Sequence, residues 1–344
     1  MTRQIGYYVH HHGAGHLARA RIVADRAGGR ITLIGTGLAG ACGALTCLDL
    51  PDDRLALSFD GRDGAAERPA ALHYTPIDHD GVRRRVAAMT GWIANVRPAL
   101  MVVDVSCEIA MLARLASVPT VMVRLGGRRD DAPHRDAFAA ATAIVSPFAD
   151  ALDDPATPDW VRAKTRFFPG LVERACYESV EARSVLVVIG QGGAAGDGAV
   201  WARAARATPE WTWSVIGPCA PAADPPHNLT LLGWVDDAAT RMARAEVVVG
   251  SAGDGVVAAV LAAGRPFICI PEDRPFDEQR SKAAGLVRAG AALVCEDAAQ
   301  ADWGAQLLAT RGLSPVAAAA LDDPSGADRL AAFLLALADE RHCA

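Results

Sequence analysis

Short apolar runs alternate with amphipathic stretches along most of the chain. Apolar runs without strict polar alternation are typical of strands buried on both faces of a parallel sheet. In the first half they predict strands within 4–9, 30–35, 99–105 and 119–125. In the second half they predict strands within 184–190, 211–217, 228–233, 245–251, 266–271 and 291–296. The stretches between them, including 15–27, 81–96 and 107–116, have apolar residues at helical spacing and predict helices.

This alternation predicts two domains built from βαβ units. Prolines and acidic residues interrupt it over 146–170, which places a boundary near Pro169 and Gly170. We therefore expect an α/β protein with two doubly wound, Rossmann-like domains facing a cleft, the first over 1–169 and the second over 170–326. Apolar positions at helical spacing from Ala327 to His342 predict a closing C-terminal helix, assigned to 327–344.

The carboxyl ends of the predicted strands should carry the chemistry. Ligands of doubly wound sheets bind beyond these ends. The important loops are therefore expected after Val9, Val105, Ile189 and Val249.

Composition fits this picture. The chain has 344 residues, of which 51% are apolar, enough for two packed cores. Its eight cysteines include no CxxC pair, so we expect buried, reduced thiols rather than a zinc ribbon or a dithiol site. The opening residues contain no apolar signal region and no run reaches membrane-spanning length, so we expect a cytoplasmic protein with at most peripheral membrane contact.

Charge is distributed unevenly. The net charge of −6 divides into +2 over residues 1–170 and −8 over the remainder. The first domain is thus the better place for an anionic partner, although for the short arginine runs at 83–85 and 128–129 we favour the interpretation as solvated helix and loop charge. The basic excess is too small for a nucleic-acid partner.

A glycine-rich turn follows the strand predicted within 245–251. Ser251, Ala252, Gly253, Asp254 and Gly255 precede a helix, and free N–H groups at a helix start suit a phosphate or diphosphate. Glycine at such a turn is equally often bare geometry. The loop "PEDRPFDEQ", residues 271–279, then concentrates acids and an amide at a strand end, where they suit the hydroxyls of a sugar.

These motifs resemble those of glycosyltransferases with the GT-B fold. The similarity is greatest to the family that makes lipid II from UDP-N-acetylglucosamine, family 28, and to related UDP-glycosyltransferases. It rests on "LLGWVDDAATRMARAEVVVGSAGDG" from Leu231, on the loop of residues 271–279, and on "GAGHLARA" near the start. It runs through roughly the whole chain and is strongest over 231–286.

The resemblance implies a donor site in the second domain. Main-chain groups at Trp234 and Val235 would hold the uracil, and the turn from Ser251 through Ala252, Gly253 and Asp254 to Gly255 would hold the diphosphate. Glu278 and Gln279 would hold donor-sugar hydroxyls.

The chain departs from the family at three donor positions. Relatives carry His or Arg at the position of Ser251, Ser or Thr at that of Val256, and a ribose-binding Glu at that of Ala259. Glu272 and Asp273 are the alternative candidates for holding the donor.

The segment "HHHGAGHLARA" poses the question of a catalytic base. Gly13 and Gly15 allow a tight turn, and His16 begins the helix at the expected cleft. The resemblance assigns His16 as the base that accepts the acceptor's proton, with Asp104 as its orienting partner. Without the resemblance, we would interpret His16 as a helix cap or a packed imidazole.

The neighbouring histidines raise the alternative of a metal site. His10, His11 and His12 should alternate sides in an extended segment, so they cannot all face one point and suit a polar rim on the acceptor side better. Transferases of this fold usually need no metal, and neither a metal nor a cofactor is expected. The triplet Asp78-His79-Asp80 is interpreted as polarity at a helix start.

A second glycine turn, at 190–195, loosely fits a dinucleotide fingerprint. The strand within 211–217 is not followed by the acid that a nicotinamide cofactor's ribose requires, so we favour a donor contact at Gly192. Arg128 and Arg129 should line the acceptor side and meet an anionic group, or pair with Asp130, Asp131 and Asp136.

The sequence thus predicts a metal-independent, inverting glycosyltransferase that uses a nucleotide-sugar, most readily a UDP-sugar. The acceptor is expected to be a small molecule or a lipid-linked compound. A non-catalytic binding or partner subunit, and a sugar-nucleotide epimerase of the same fold, remain alternatives.

Overall fold

A computed structural model describes residues 3–11, 14–54, 69–176, 179–193 and 195–340. The first lobe contains the strands β1 (Ile5–Tyr8), β2 (Ile31–Gly35), β3 (Cys47–Asp49), β4 (Leu100–Asp104), β5 (Thr120–Val123), β6 (Ala143–Ser146) and β7 (Thr165–Phe167). Its helices are α1 (Ala14–Arg26), α2 (Asp80–Val96), α3 (Cys107–Leu115), α4 (Ala132–Ala140) and α5 (Asp159–Lys164), with a 3-10 turn at Asp150–Leu152. The strands pair in parallel in the order β3-β2-β1-β4-β5-β6-β7, so the strand order reverses between β1 and β4.

The second lobe repeats this plan. Its strands are β8 (Glu181–Val188), β9 (Gly196–Asp197), β10 (Thr212–Ile216), β11 (Cys219–Ala220), β12 (Leu229–Gly233), β13 (Ala245–Gly250), β14 (Phe267–Cys269) and β15 (Leu293–Val294). The helices that follow β8 are α6 (Gly198–Ala207), α7 (Ala238–Arg244), α8 (Asp254–Ala263), α9 (Glu278–Arg288), α10 (Trp303–Ala309), α11 (Pro315–Ala319) and α12 (Gly326–Glu340), with 3-10 turns at Pro275–Asp277 and Thr310–Gly312. The main sheet has the order β12-β10-β8-β13-β14-β15, and β9 pairs with β11 beside it.

The strand residues alternate between two cores, one on each face of the sheet. In the first lobe, Tyr7 and Val102 pack towards α1 and α12. Their neighbours Tyr8 and Met101 pack on the opposite face against α2 and α3. Successive side chains of a strand point to opposite faces, so a sheet covered on both sides needs apolar residues at every position. The strands predicted from apolar runs are all confirmed, and burial on both faces explains the central ones, whereas the edge strands β12 and β15 are partly exposed.

Three strands of the first lobe were not predicted from the sequence pattern. The segments β6 and β7 lie inside or beside the stretch over 146–170 that was interpreted as a break, so the first sheet continues further than predicted. The alanine-rich helix α4 runs almost directly into β6, without a glycine or proline between them to mark the change. The edge strand β3 is short and half exposed, and it lacks a buried apolar run.

The last helix returns to the first lobe. The side chains of Leu330 and Leu334 are buried in the core that α1 covers. Arg26 pairs with Asp328 at 3.0 Å and Arg30 with Asp339 at 2.8 Å, both along the α1–α12 contact. A helix was predicted from Ala327 to His342, and the observed helix ends at Glu340, with 341–344 outside the described residues.

The lobes are joined by packing as well as by the chain. Phe148 and Leu152, which precede α5, are buried in a core of the second lobe together with residues of α8 and α9. The Ser281 hydroxyl donates to Asp154 at 2.7 Å across the same contact. Over the described residues, no helix is both long enough and apolar enough to cross a bilayer.

Candidate functional site

His16 and Asp104 meet where the strand order of the first sheet reverses. His16 lies in the first turn of α1, directly after β1, and Asp104 is the last residue of the adjacent strand β4. The distance from His16 Nδ1 to Asp104 Oδ2 is 2.8 Å. The Asp104 side chain is fully buried, whereas that of His16 is 15% exposed. The Nδ1 side of the imidazole is thus held by a buried carboxylate, while the rest of the ring remains partly accessible to solvent.

Arg19 completes this pair and was not foreseen from the sequence. It follows His16 by three residues on the same face of α1, and its Nη2 donates to Asp104 Oδ1 at 3.1 Å and Oδ2 at 2.9 Å. Burial acts to raise the pKa of Asp104, but Arg19 and then His16 outweigh it, and the pKa lies well below its usual range. The carboxylate is therefore ionised. The i, i+3 spacing of His16 and Arg19 was the signal available in the sequence.

The charge on Asp104 fixes the tautomer of His16. Since an ionised carboxylate only accepts hydrogen bonds, His16 Nδ1 must donate to it. Arg19 Nη2, which lies 3.2 Å from the same nitrogen, is itself a donor and is satisfied by the carboxylate rather than by the ring. The lone pair of the neutral imidazole is then on Nε2, the nitrogen suited to accept a proton.

The backbone after Asp104 turns sharply to begin α3. Val105 has a φ of 55°, a left-handed conformation that is costly for a β-branched residue. Ser106 then caps α3 by accepting from Ile109 N at 3.4 Å.

In the second lobe, the turn after β13 leads into α8 at the reversal point of that sheet. Gly253 is the N-cap and has no side chain to occupy the free N–H groups of the first turn. The α8 N-terminus therefore keeps the donors and the positive dipole end that suit an anion. Ser251 is half-buried and Gly255 is exposed beside it.

Gln279 has a structural role in this turn. Its Oε1 accepts from Ala252 N at 3.0 Å and from Glu272 N at 2.9 Å, and its side chain is 4% exposed. In the structure the Gln279 side chain and the Ala252 N–H are bonded to each other, so the predicted contacts with the donor sugar and diphosphate stay predictions that would replace these hydrogen bonds. The amide instead fixes the 271–279 loop against the turn.

The acidic residue at the start of α8 lies against a buried lysine. Asp254 forms an ion pair with Lys282 of α9, whose side chain is fully buried. Burial and the nearby arginines lower the pKa of Lys282, and the Asp254 carboxylate opposes this by favouring the charged ammonium. The Lys282 ammonium also lies 4.8 Å from the centre of the Phe148 ring. Lys282 was not singled out in the sequence, because lysine in the middle of an amphipathic helix usually faces solvent.

A second glycine turn borders the same region. A Cβ at Gly193 would collide with the Glu272 carboxylate, and a Cβ at Gly192 would lie 3.7 Å from Arg274 Nη2. Arg274 donates to Glu272 Oε2 at 2.8 Å. The glycine turn, the α8 turn and the 271–279 loop thus converge, with a guanidinium beside Gly192. Asp273, in contrast, pairs outwards with Arg280 at 2.8 Å.

Trp234 presents an exposed ring at the end of β12. It follows Gly233, whose φ is 66°, and 59% of the residue is exposed. Val235 turns inwards and packs against the core of the second lobe. Val256 and Ala259, the two departures from the family on α8, also pack against that core.

Arg129 and Glu278, predicted for opposite sides of the cleft, bind each other across it. Arg129 Nη2 donates to Glu278 Oε2 at 2.7 Å, and its guanidinium lies 5.0 Å from the centre of the Phe276 ring. Arg128 N donates to the Phe276 carbonyl at 2.7 Å. Gly127 allows this approach, because a Cβ there would collide with the same carbonyl. We call these contacts the cleft latch. The alternative pairing of Arg129 with nearby aspartates is not what the structure shows.

The histidine segment after β1 differs from expectation. The rings of His10 and His11 stack 5.0 Å apart, and His10 lies 5.4 Å from the ring of His16. The expected alternation fails because β1 ends at Tyr8 and the following residues are no longer a strand. His12 and Gly13 fall outside the described residues, and Gly15 is exposed. The helix-start interpretation of 78–80 is confirmed, since His79 caps α2 by accepting from Val82 N at 3.3 Å.

Comparisons with known proteins agree with this architecture. A model of the glycosyltransferase family 28 C-terminal domain matches residues 219–308. The glycotransferase of kitacinnamycin is 14% identical, with a TM-score of 0.68 and 99% of each chain covered. MurG of Acinetobacter baumannii is 15% identical, with a TM-score of 0.65 over 97% of this chain and 99% of that one. A search of curated protein sequences found no significant match.

A third similar structure was solved with ligands. The spinosyn rhamnosyltransferase SpnG complexed with thymidine diphosphate is 17% identical, with a TM-score of 0.64 over 96% of this chain and 99% of that one. The same enzyme has also been solved with spinosyn aglycone. At such identities the similarity shows the fold: two Rossmann-like domains arranged as in GT-B glycosyltransferases. The predicted fold class and the resemblance of the second domain to family 28 are confirmed.

Proposed function

Proceeding from a GT-B fold and a family 28 C-terminal domain, we propose that this protein is an inverting glycosyltransferase. It moves a sugar from a nucleoside diphosphate to an acceptor hydroxyl. The observation that carries the proposal is the 2.8 Å contact between His16 and Asp104, set at the reversal point of the first sheet. The α8 N-terminus occupies the corresponding point of the second sheet. Doubly wound sheets bind their ligands at these points.

The first lobe supplies the base. His16 Nε2 takes the proton of the acceptor hydroxyl as its oxygen attacks the anomeric carbon. The bond from that carbon to the diphosphate oxygen breaks, and its electron pair leaves with the nucleoside diphosphate. One displacement inverts the anomeric configuration. Asp104 holds the ring and stabilises the imidazolium that forms.

The second lobe stabilises the leaving group. The free N–H groups at the start of α8 and the guanidinium of Arg274 meet the diphosphate charge. Lys282 supports this arrangement by neutralising Asp254. Fixed donors and dipoles of this kind do the work that a bound cation does in metal-dependent transferases, so the proposed transfer needs no metal at the diphosphate.

The donor base and the acceptor are assigned by class. The exposed Trp234 ring and the main chain beside it suit a pyrimidine base. SpnG was solved with thymidine diphosphate, and family 28 resemblance points to uridine. Ala259 offers no carboxylate to a ribose hydroxyl, so both UDP-sugars and dTDP-sugars belong in the donor panel. The acceptor is proposed to be a small hydroxyl compound bound by the first lobe.

The test is a donor screen followed by transfer. Each UDP-sugar and dTDP-sugar is titrated by calorimetry, and each one that binds is assayed for hydrolysis and for transfer to an acceptor panel. His16→Ala should bind donor like the wild type and lose at least about 100-fold in turnover. His227→Ala, at an exposed histidine of the second lobe, is the matched control. Binding without hydrolysis or transfer for any donor, or normal turnover of His16→Ala, contradicts the proposal. A new epimer formed from donor alone contradicts it as well.

A further inference from the structure

Nitrogen, sulfur and oxygen ligands converge in the first lobe at a place that the proposed reaction does not use. Cys107 is the first residue of α3, and His134 lies in the first turn of α4. His73 belongs to the loop before α2. One ligand atom from each of the three lies within 4.8 Å of the others, and Cys107 and His134 are buried.

Asp131 joins the two imidazoles. Its Oδ1 lies 3.0 Å from His73 Nε2, and its Oδ2 lies 2.9 Å from His134 Nδ1. Asp131 is also the N-cap of α4 and accepts from His134 N at 3.1 Å. Capping accounts for this carboxylate alone. It does not account for a thiol and a second imidazole gathered at the same point.

We propose that His73, Cys107, Asp131 and His134 bind a divalent transition-metal ion of the zinc class. Two imidazoles, a thiolate and a carboxylate are a donor set that zinc accepts in tetrahedral geometry. Ligand atoms of such a tetrahedron lie about 3.3–3.6 Å apart, given metal–ligand distances of about 2.0–2.3 Å. The Asp131–imidazole distances are 2.9 and 3.0 Å, and the ligand atoms of His73, Cys107 and His134 lie within 4.8 Å of one another, so ligand atoms would have to shift by about one ångström to reach this geometry.

The present contacts suit the metal-free form of such a site. His134 Nδ1 and His73 Nε2 both face the carboxylate, which accepts the ring protons that a metal ion would replace. The Phe276 ring lies edge-on to His134 at 4.9 Å and to His73 at 5.8 Å. The second lobe thereby covers the cluster with an apolar surface.

A metal ion at this site would lie close to the positive charge of Arg129. Its Nη1 lies 3.3 Å from His134 Nε2. Metal on Nδ1 requires a proton on Nε2, so this contact opens on binding, while Nη2 keeps Glu278. A thiolate and a carboxylate offset the charge of a divalent ion, and Glu278 offsets that of Arg129.

The ion would tie the loop before α2 to the starts of α3 and α4. These elements border the part of the first lobe where we place the acceptor. The proposed role is structural. It does not depend on the glycosyltransferase proposal, because binding is measured without substrate.

The experiment uses the full chain, free of any affinity tag and treated with EDTA. Titration with Co²⁺ should give one ion per chain and a thiolate charge-transfer band in the near ultraviolet, and Zn²⁺ should displace Co²⁺ and raise Tm. Cys107→Ser should abolish the band and weaken binding at least about tenfold. Cys176→Ser, at an exposed cysteine, is the matched control and should behave like the wild type.

A second variant separates ligation from folding. His73→Gln removes a half-buried ligand with little packing cost, and it should weaken metal binding while its metal-free Tm stays close to that of the wild type. Substoichiometric binding, a cobalt spectrum without the thiolate band, or equal affinity in Cys107→Ser and Cys176→Ser would overturn the site.

Discussion

Arg19 donates to both carboxylate oxygens of Asp104, at 3.1 and 2.9 Å, inside the first lobe. Asp104 is therefore shared between a guanidinium that is always charged and an imidazole that gains a proton during the proposed reaction. Because Arg19 keeps the buried carboxylate ionised and fixed in position, that carboxylate can orient the His16 ring. Arg19 is consequently a positioning residue for the proposed base.

Replacing Arg19 tests this relationship. In Arg19→Gln, the Asp104 carboxylate loses one of its two partners and holds the His16 ring less firmly, so kcat should fall at least about tenfold while donor affinity stays close to that of the wild type. The loss of a buried charge partner should also lower the free energy of unfolding by about 3–5 kcal/mol. Turnover is measured at saturating donor, donor affinity by calorimetry and unfolding by denaturant titration. A destabilised variant with unchanged kcat would make Arg19 purely structural.

Asp104→Asn should impair catalysis more than binding. An amide can donate to His16 Nδ1 and thereby favour the wrong tautomer, with the proton on Nε2. We expect kcat to fall on the order of 10³-fold while donor affinity, measured by calorimetry, stays within about twofold. Equal losses in donor affinity and turnover would mean that Asp104 shapes the cleft instead of orienting the base.

The same carboxylate should make stability depend on pH in the acid range. Since the pKa of Asp104 is lowered in the folded state, the unfolded chain binds the proton more readily. The stabilisation is present above the unfolded pKa, about 3.9, and is lost as pH falls through the folded value. Denaturant titrations at pH 7, 5, 4 and 3 should show a steeper loss below pH 4 for the wild type than for Asp104→Asn. Parallel curves would contradict this.

The sequence predicted the buried parallel strands well because they must be apolar on both faces. Tyr7 and Tyr8 illustrate this, since each is buried against a different core. The sequence pattern did not predict β6, because its apolar residues follow the alanines of α4 without a turn signal. The pairing of His16 with Asp104 was predicted from the family resemblance. The strand order accounts for their proximity, because β1 and β4 are neighbours and their carboxyl ends lie side by side. Lys282 was missed because its partner Asp254 is brought to it by tertiary packing, which no local pattern encodes. Arg19 had only its i, i+3 spacing from His16 as a signal, and that spacing does not identify Asp104 as its partner.

The cleft latch should couple the two lobes energetically. Arg129 and Glu278 are both largely buried, and their contact is charge-assisted. Arg129→Ala and Glu278→Ala should each destabilise the protein, and the double variant should lose less than the sum, with a coupling energy of about 1–3 kcal/mol. The free energies of unfolding of the wild type, the two single variants and the double variant complete the double-mutant cycle. Additive losses would show that the Arg129–Glu278 contact of the latch does not couple the lobes.

Lys282 should control nucleotide binding through Asp254, although neither charge needs to touch the nucleotide. Asp254 is the first residue of α8, so an uncompensated carboxylate there would oppose a diphosphate at the helix N-terminus. In Lys282→Met the carboxylate loses its partner, and the affinity for UDP or dTDP should fall at least about tenfold. Lys282→Met combined with Asp254→Asn removes both charges and should recover most of that affinity, even if some stability is lost. Lys164→Met, at a half-exposed lysine of the first lobe, is the control. The affinities are measured by calorimetric titration. An equal loss of nucleotide affinity in the single and the double variant would show that Lys282 acts through packing rather than by neutralising Asp254.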